Sequence, residues 1–489
     1  MLFKVKSLNL STGRPVAILH ERKAKSLAIF VGERVRIRKK HSIVAVLDTA
    51  KDILKENEIS LSTEIMNPLN IKEGEMVEVM IEPAPKTTRF ILEKLKGNVL
   101  NYEKLNAIVG DIVHNTLTEA EIAYFVSAVY INGMNDGEIA DLTKSMVAFG
   151  KKLKIGDAYD KHSIGGIAGN RTTPIIVSIC AASGVKIPKT SSRAITSAAG
   201  TADVVEVLAN VEFSIDEIKK IVERTNGCMV WGGALGLAPA DDKIIQVERL
   251  LSLDPEAQLI ASILAKKIAV NAKGVLLDIP YGKSAKVKTK KDAEKLAKRF
   301  KKIAKLLKIN LKTVLTDGSE PIGNGIGAVL EARDVISVLR QEKSRPLDLE
   351  KKAVYLSSLL LEIAGKSKLK ESIKMAEEIL KSGKAFKKFR EIIAAQKGDL
   401  SEKRLQVAKF CCTIKSGKNG KIREIDNKKI AAVARAVDCP ADKKAGLYLH
   451  VHVNDKISRG SSLLTVYAAT KEKLKFAKEI YDKLVPIIY

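Results

Sequence analysis

Two stretches of this chain carry side chains suited to holding an anion. The first is Lys161-His162-Ser163-Ile164-Gly165-Gly166-Ile167-Ala168-Gly169-Asn170, and the second runs from Thr190 to Asp203 through Ser191-Ser192-Arg193-Ala194-Ile195-Thr196-Ser197-Ala198-Ala199-Gly200-Thr201. Both are small-residue loops with hydroxyls and one basic side chain, the composition that lets backbone N–H groups approach a phosphate closely. In the first, Lys161 supplies a point charge, Ser163 a hydroxyl donor and Gly165 a close backbone. In the second, Ser192, Arg193, Thr196, Ser197 and Thr201 surround Gly200, more polar groups than capping one helix uses, so anion or ribose binding is expected. A glycine-rich turn can also serve packing alone. Two such loops together weigh against that reading.

Further along, Asp254 stands just before Pro255, the pattern of an N-cap and first helical turn, while Ser262 and Lys266 share one face of the helix that follows. A third glycine loop, 316–327, follows an apolar segment but lacks GxGxxG spacing, so packing or an interdomain role is expected there. The five cysteines, Cys180, Cys228, Cys411, Cys412 and Cys439, show no CxxC spacing, and histidines do not cluster. Neither a disulfide framework nor a zinc site is expected.

The elements that must position these residues fall into four stretches. Residues 1–84 read as short alternating strands, at 16–19, 26–31, 35–37, 43–47 and 76–81, separated by glycine turns, the pattern of a small β-barrel. Residues 85–155 open on a proline-containing linker and continue with period-3.6 helices, a helical domain completed by later helices. Between 156 and 410, helices alternate with short apolar strands, expected at 175–179, 228–231, 275–279 and 311–315, which predicts an α/β domain with a mostly parallel mixed sheet. Residues 411–489 read as a small α+β domain. The fold class is therefore multidomain α/β.

The chain has 489 residues, 84 Lys+Arg against 57 Asp+Glu, a formal net charge of +27, and only 4% aromatic residues with one Trp. The lysines spread along helical faces, as at 289–309, where Leu296, Phe300, Ile303 and Leu307 form the apolar stripe. Platforms for stacking bases are scarce, so anionic small molecules are expected as partners rather than nucleic acid. The non-enzyme alternative, a basic nucleic-acid-binding protein, predicts binding with a steep salt dependence. No apolar stretch reaches the length of about 18 residues needed to span a bilayer, and the start lacks a signal-peptide core, so no membrane association and a cytoplasmic location are expected.

The run Lys161-His162-Ser163-Ile164-Gly165-Gly166 resembles the KHSxGG phosphate loop of the thymidine and pyrimidine-nucleoside phosphorylase family. The resemblance extends from the helical stretch onward and includes Ser262-Ile263-Leu264-Ala265-Lys266-Lys267. Two features draw it toward the archaeal AMP phosphorylases, the type 2 subfamily. One is the extra N-terminal barrel; the other is Ser191–Asp203 in place of the SGRGLGHTGGT-type loop. The arginine that pyrimidine enzymes carry seven residues before the Asp254 position is here Val247.

The resemblance implies a pentosyltransferase that cleaves nucleoside 5′-monophosphates, AMP + phosphate giving adenine + ribose 1,5-bisphosphate, with CMP and UMP also accepted, in AMP catabolism. It implies Asp254 as proton donor to the departing base, a contribution of roughly 10² to 10⁴-fold for such groups. It implies Gly166, Ser192, Arg193, Ala194, Ile195, Thr196, Ser197, Thr201, Ser262 and Lys286 as nucleotide contacts, and Lys161, Ser163 and Gly165 as the site of inorganic phosphate. Arg193 and Lys286 are the candidates for clamping the substrate's own 5′-phosphate. Inorganic phosphate is a co-substrate, and no metal or cofactor is required because lysine and arginine can neutralise both phosphates. A homodimer or larger homo-oligomer is expected. The alternative within enzymes is a thymidine or pyrimidine-nucleoside phosphorylase.

Overall fold

The computed structural model describes residues 1–194 and 197–489, in two compact units, Met1–Phe149 with Ala238–Ser262, and Gly150–Leu237 with Ile263–Tyr489. The first unit begins with six strands, β1 (Leu2–Val5), β2 (Val16–His20), β3 (Arg34–Arg38), β4 (Ser42–Ala50), β5 (Glu58–Leu61) and β6 (Met76–Ile81). They close into a barrel of order β1-β5-β2-β4-β3-β6, which leaves no unpaired edge. Alternate residues, among them Phe3, Val5, Ala17, Leu19, Val35, Ile37, Val77 and Val79, fill its interior.

The strand expected at 26–31 is absent. Glu21–Ser26 is helical instead, with the His20 side chain accepting from the Arg22 N–H, and the chain then turns at Ala28, φ 51°. Ile29 is buried while Phe30 and Val31 are exposed, so the run never had the alternating burial of a strand.

Helices Thr87–Leu95, Tyr102–Val113, Glu119–Asn132 and Asp136–Ala148 follow the barrel, and Pro239–Leu251 packs with them later in the chain. Two start with reciprocal capping, Thr118 with Glu121 and Asn135 with Glu138. Glu138 is buried, and accepts from Lys94 Nζ at 2.7 Å and from the Leu100 N–H at 2.9 Å.

The second unit is built on parallel strands β7 (Tyr159–Ser163), β8 (Ile187–Ser191), β9 (Gly227–Trp231), β10 (Gly274–Tyr281) and β11 (Leu311–Asp317). β8 pairs with β9, β10 lies between β7 and β11, and a bridge from Ala158 to Lys186 joins the two groups, giving the order β9-β8-β7-β10-β11. The chain works outward from β7 to β9 and returns on the other side at β10. Between β7 and β10 its direction of growth reverses, and such switch points are where open parallel sheets bind ligands, at the carboxyl ends of the strands.

The strand expected at 175–179 lies in a helix, Thr172–Ala182. Ten of that helix's residues are buried, so it has no solvated face, and periodicity cannot separate such a helix from a buried strand. The last part of the unit is an antiparallel sheet of segments 325–326, 446–449, 462–468 and 410–415, with helices Asn427–Ala436 and Lys471–Leu484. No helix among the described residues is long and apolar enough to cross a membrane.

Candidate active site

The first loop is in part a strand. Lys161 and Ser163 belong to β7, two residues apart and so on one face, and Asp160 and His162 occupy the other. Register sets Ser163 opposite Asp278 of β10, and Pro280 of β10 opposite Thr316 of β11. Three side chains thereby meet at the switch point: Asp278 is fully buried and accepts Ser163 Oγ at 3.0 Å on Oδ2 and Thr316 Oγ1 at 2.6 Å on Oδ1.

Lys161 Nζ lies 4.0 Å from Asp278 Oδ2 and donates to Thr172 Oγ1 at 3.2 Å, in the first turn of the Thr172–Ala182 helix. Burial pushes the Lys161 amine down to about 8, against the attraction of Asp278 and aided by the nearby charges of Lys352 and Arg171. On the other face of β7, Asp160 accepts Lys267 Nζ at 2.6 Å and Lys189 Nζ at 3.1 Å. The two ammonium groups hold its carboxyl below the usual range despite burial, and burial takes Lys267 down to about 7. His162 is pushed well below its ordinary value, first by burial and then by the lysines around it, so its imidazole is neutral at pH 7.

Past β7 the chain turns through Gly165 and Gly166, φ 88° and 86°, conformations that favour glycine. At Gly166 a Cβ would also come 2.6 Å from the backbone N of Lys286, so this glycine and Lys286 are brought together by main-chain packing. The turn is braced from behind. Asn427 Oδ1 accepts the Ala168 N–H at 3.0 Å, and the Ile322 N–H donates to Ala168 O at 3.0 Å, which gives the third glycine loop its packing role.

Arg171 links the two loops. Its guanidinium donates to Glu331 at 2.7 Å, to Thr201 Oγ1 at 2.8 Å and to Ala199 O at 2.8 Å. In the second loop, Asp203 is buried and one of its oxygens, Oδ2, accepts both the Ala194 and the Gly200 N–H at 2.7 Å. Ser197 Oγ donates to Ala199 O, and Ser192 is exposed. Ile195 and Thr196 lie outside the described residues.

Arg193 is engaged by neighbours. Its guanidinium stacks over Trp231 at 4.7 Å, holds Glu206 through two bonds of 2.6 and 2.7 Å, and reaches Glu212 at 3.0 Å. A phosphate using Arg193 has to displace two carboxylates; Lys286, the other candidate clamp, is exposed beside Gly166. Asp254 and Ser262 belong to the first unit. Asp254 is exposed between the helices Pro239–Leu251 and Glu256–Ala269, and Ser262 is half-buried in the second of these.

Asp278, Thr172, Thr316, Arg171, Asp203 and Lys352 are the members of this constellation that sequence reasoning missed. One signal was present for Asp278, a lone carboxylate in the run Val275-Leu276-Leu277-Asp278-Ile279-Pro280. A charge inside an otherwise buried parallel strand has to be paired, and its partners lie on other strands.

Comparison with known proteins gives three family matches along the chain. Residues 88–150 match the helical bundle domain and residues 155–386 the a/b domain of the Glycosyl transferase family, and residues 421–487 match the Pyrimidine nucleoside phosphorylase C-terminal domain. Among curated relatives, proteins named AMP phosphorylase from Methanocaldococcus jannaschii and Thermococcus kodakarensis are each 42% identical to this chain, covering 100% of it and 97% of their own length. One of the same name from Methanococcus vannielii is 39% identical over the same shares. Among solved structures, anthranilate phosphoribosyltransferase from Thermus thermophilus superposes with a TM-score of 0.53 at 17% identity, covering 63% of this chain and 99% of that one, a likeness of fold.

Proposed function

Because the chain belongs to the AMP phosphorylase family, we propose that it cleaves AMP with inorganic phosphate, releasing adenine and ribose 1,5-bisphosphate. A phosphate oxygen attacks C1′ of the ribose while the bond from C1′ to N9 breaks. The electron pair of that bond goes to the base, and a proton supplied to the base completes the leaving group. The transition state builds positive charge on the sugar and negative charge on the base, so cations belong with the phosphate and an acid with the base.

The observation that carries the phosphate side is the meeting of Lys161 and Ser163 on one face of β7, at the carboxyl end of the strand and the sheet's switch point, beside the Gly165–Gly166 turn. We assign these three positions, Lys161, Ser163 and Gly165, to the co-substrate. Gly166, Thr201, Ser262, Lys286 and the segment 192–197 are assigned to the nucleotide, and Asp254 to proton donation. Lysine charge neutralises the attacking phosphate in this scheme, which uses no metal or organic cofactor.

The finer domain layout that accompanies this reading is a barrel over 1–84, a helical domain from 85 to 155, an α/β domain over 156–410 and an α+β domain over 411–489. The enzyme works in the cytoplasm as a homodimer or larger homo-oligomer. The test is incubation with AMP, CMP, UMP and adenosine, each with and without phosphate, with assay of base and of ribose 1,5-bisphosphate. Phosphate-dependent release of adenine from AMP is expected. Base released from adenosine but not from AMP overturns the proposal.

A further inference from the structure

Lys352 sits on the helix Leu347–Ile363, with its side chain 9% exposed, and its Nζ is buried with no hydrogen-bond partner among the described residues. A buried ammonium carries three donors, and leaving them unmatched costs free energy. What it faces is Asp278 Oδ2, 3.6 Å away. That oxygen accepts Ser163 Oγ at 3.0 Å, and the other carboxylate oxygen accepts Thr316.

Ser163 has one hydroxyl proton to donate. In this structure the proton is directed at Asp278. For Ser163 to donate to a phosphate oxygen, the hydroxyl must turn away, and Oδ2 of a fully buried carboxylate is left short of a donor. Lys161 is 4.0 Å from that oxygen and engaged with Thr172. Lys352 is nearer, has no competing bond, and needs to move by only about 0.7 Å to reach hydrogen-bonding distance.

We propose that Lys352 is a positioning residue for phosphate: it takes over Asp278 Oδ2 when Ser163 turns its hydroxyl onto the incoming anion. Without it, turning Ser163 costs the enzyme an unpaired buried acceptor. With it, the exchange is close to even. The inference rests on the assignment of Ser163 to phosphate, and it explains why a cation without a bond is kept beside a carboxylate that already has two hydroxyl donors.

The test is a steady-state kinetic cycle on the full chain, varying phosphate and AMP separately, with Lys352→Met, Ser163→Ala and the double variant. Lys352→Met is expected to raise KM for phosphate about tenfold, the consequence of one buried acceptor left unmatched, with kcat and KM for AMP unchanged. Lys352→Gln keeps an N–H donor and recovers part of the loss; it also carries the same cycle if the methionine variant does not fold. In the Ser163→Ala background Asp278 loses no donor on phosphate binding, so Lys352→Met adds nothing. A wild-type phosphate KM in Lys352→Met, beside a raised one in Ser163→Ala, overturns the proposal alone. An undiminished Lys352→Met effect in the double variant also overturns it, since Lys352 then acts independently of Ser163. An unchanged phosphate KM in Ser163→Ala rejects the underlying assignment instead.

Discussion

Replacing Asp278 by Asn removes the only carboxylate that the structure places between Lys161 and Lys352 among the described residues, and leaves two buried ammonium groups around a neutral amide. At 4.0 Å and an effective dielectric of about 20, a unit opposite charge is worth about 4 kcal/mol, or about 3 pH units of titration. Side-chain relaxation and the amide dipole return part of this, so a fall of at least about one unit in the Lys161 titration is expected. Burial already holds that amine at about 8, below its ordinary 10.5, so the cation is complete at lower pH and is lost as pH rises through 8.

In Asp278→Asn the loss begins below pH 7. The assay is adenine release at saturating AMP with phosphate varied, from pH 5.5 to 9.5 at constant ionic strength, because kcat/KM for phosphate reports the ionisations of the form that binds it. Dividing variant by wild type at each pH cancels the titration of phosphate itself. The ratio should fall steeply between pH 6 and 8 and then level off. A ratio that is flat across this range, in a variant whose circular dichroism matches wild type, refutes the electrostatic account of Lys161.

Two more outcomes follow from the geometry. Asp254→Asn should lower kcat by roughly 10² to 10⁴-fold while leaving KM for phosphate near its original value; normal adenine release by this variant removes Asp254 as the acid. Gly165→Ala and Gly166→Ala share a left-handed backbone, which costs each about 1–2 kcal/mol of stability. Only at Gly166 does the new methyl meet backbone, so only Gly166→Ala should shift the Lys286 segment and raise KM for AMP sharply. Equal AMP kinetics in the two variants contradict the packing seen there.

Much of this architecture is written in local pattern. Alternation of apolar residues marks four of the six barrel strands but not Leu2–Val5 or Glu58–Leu61, each only four residues long, and the apolar stripe at Leu296, Phe300 and Ile303 marks the helix Lys290–Leu306 and its buried side. Pattern fails where burial is complete or broken: Thr172–Ala182 is buried on every side, and the run after Ser26 buries only Ile29. Within the candidate site, Lys161, Ser163 and Gly166 stand out in the sequence because their types and spacing are contiguous.

Their supports are not contiguous. Ser163 meets Asp278 across 115 positions and Arg171 meets Glu331 across 160, pairings set by strand order and register rather than by any short motif. Lys352 is less visible still. In sequence it is one lysine of a helix with alternating charge, and only its burial against β10 distinguishes it.

Asp203 ties both ends of a segment to a single oxygen, at Ala194 and at Gly200, and so closes that segment whatever lies between. Closure by one carboxylate separates two tasks that loops usually perform together, holding a shape and choosing a ligand. Because both N–H groups share one oxygen, the strand before the segment and the helix after it are fastened at a single point, and losing that carboxylate releases both ends at once.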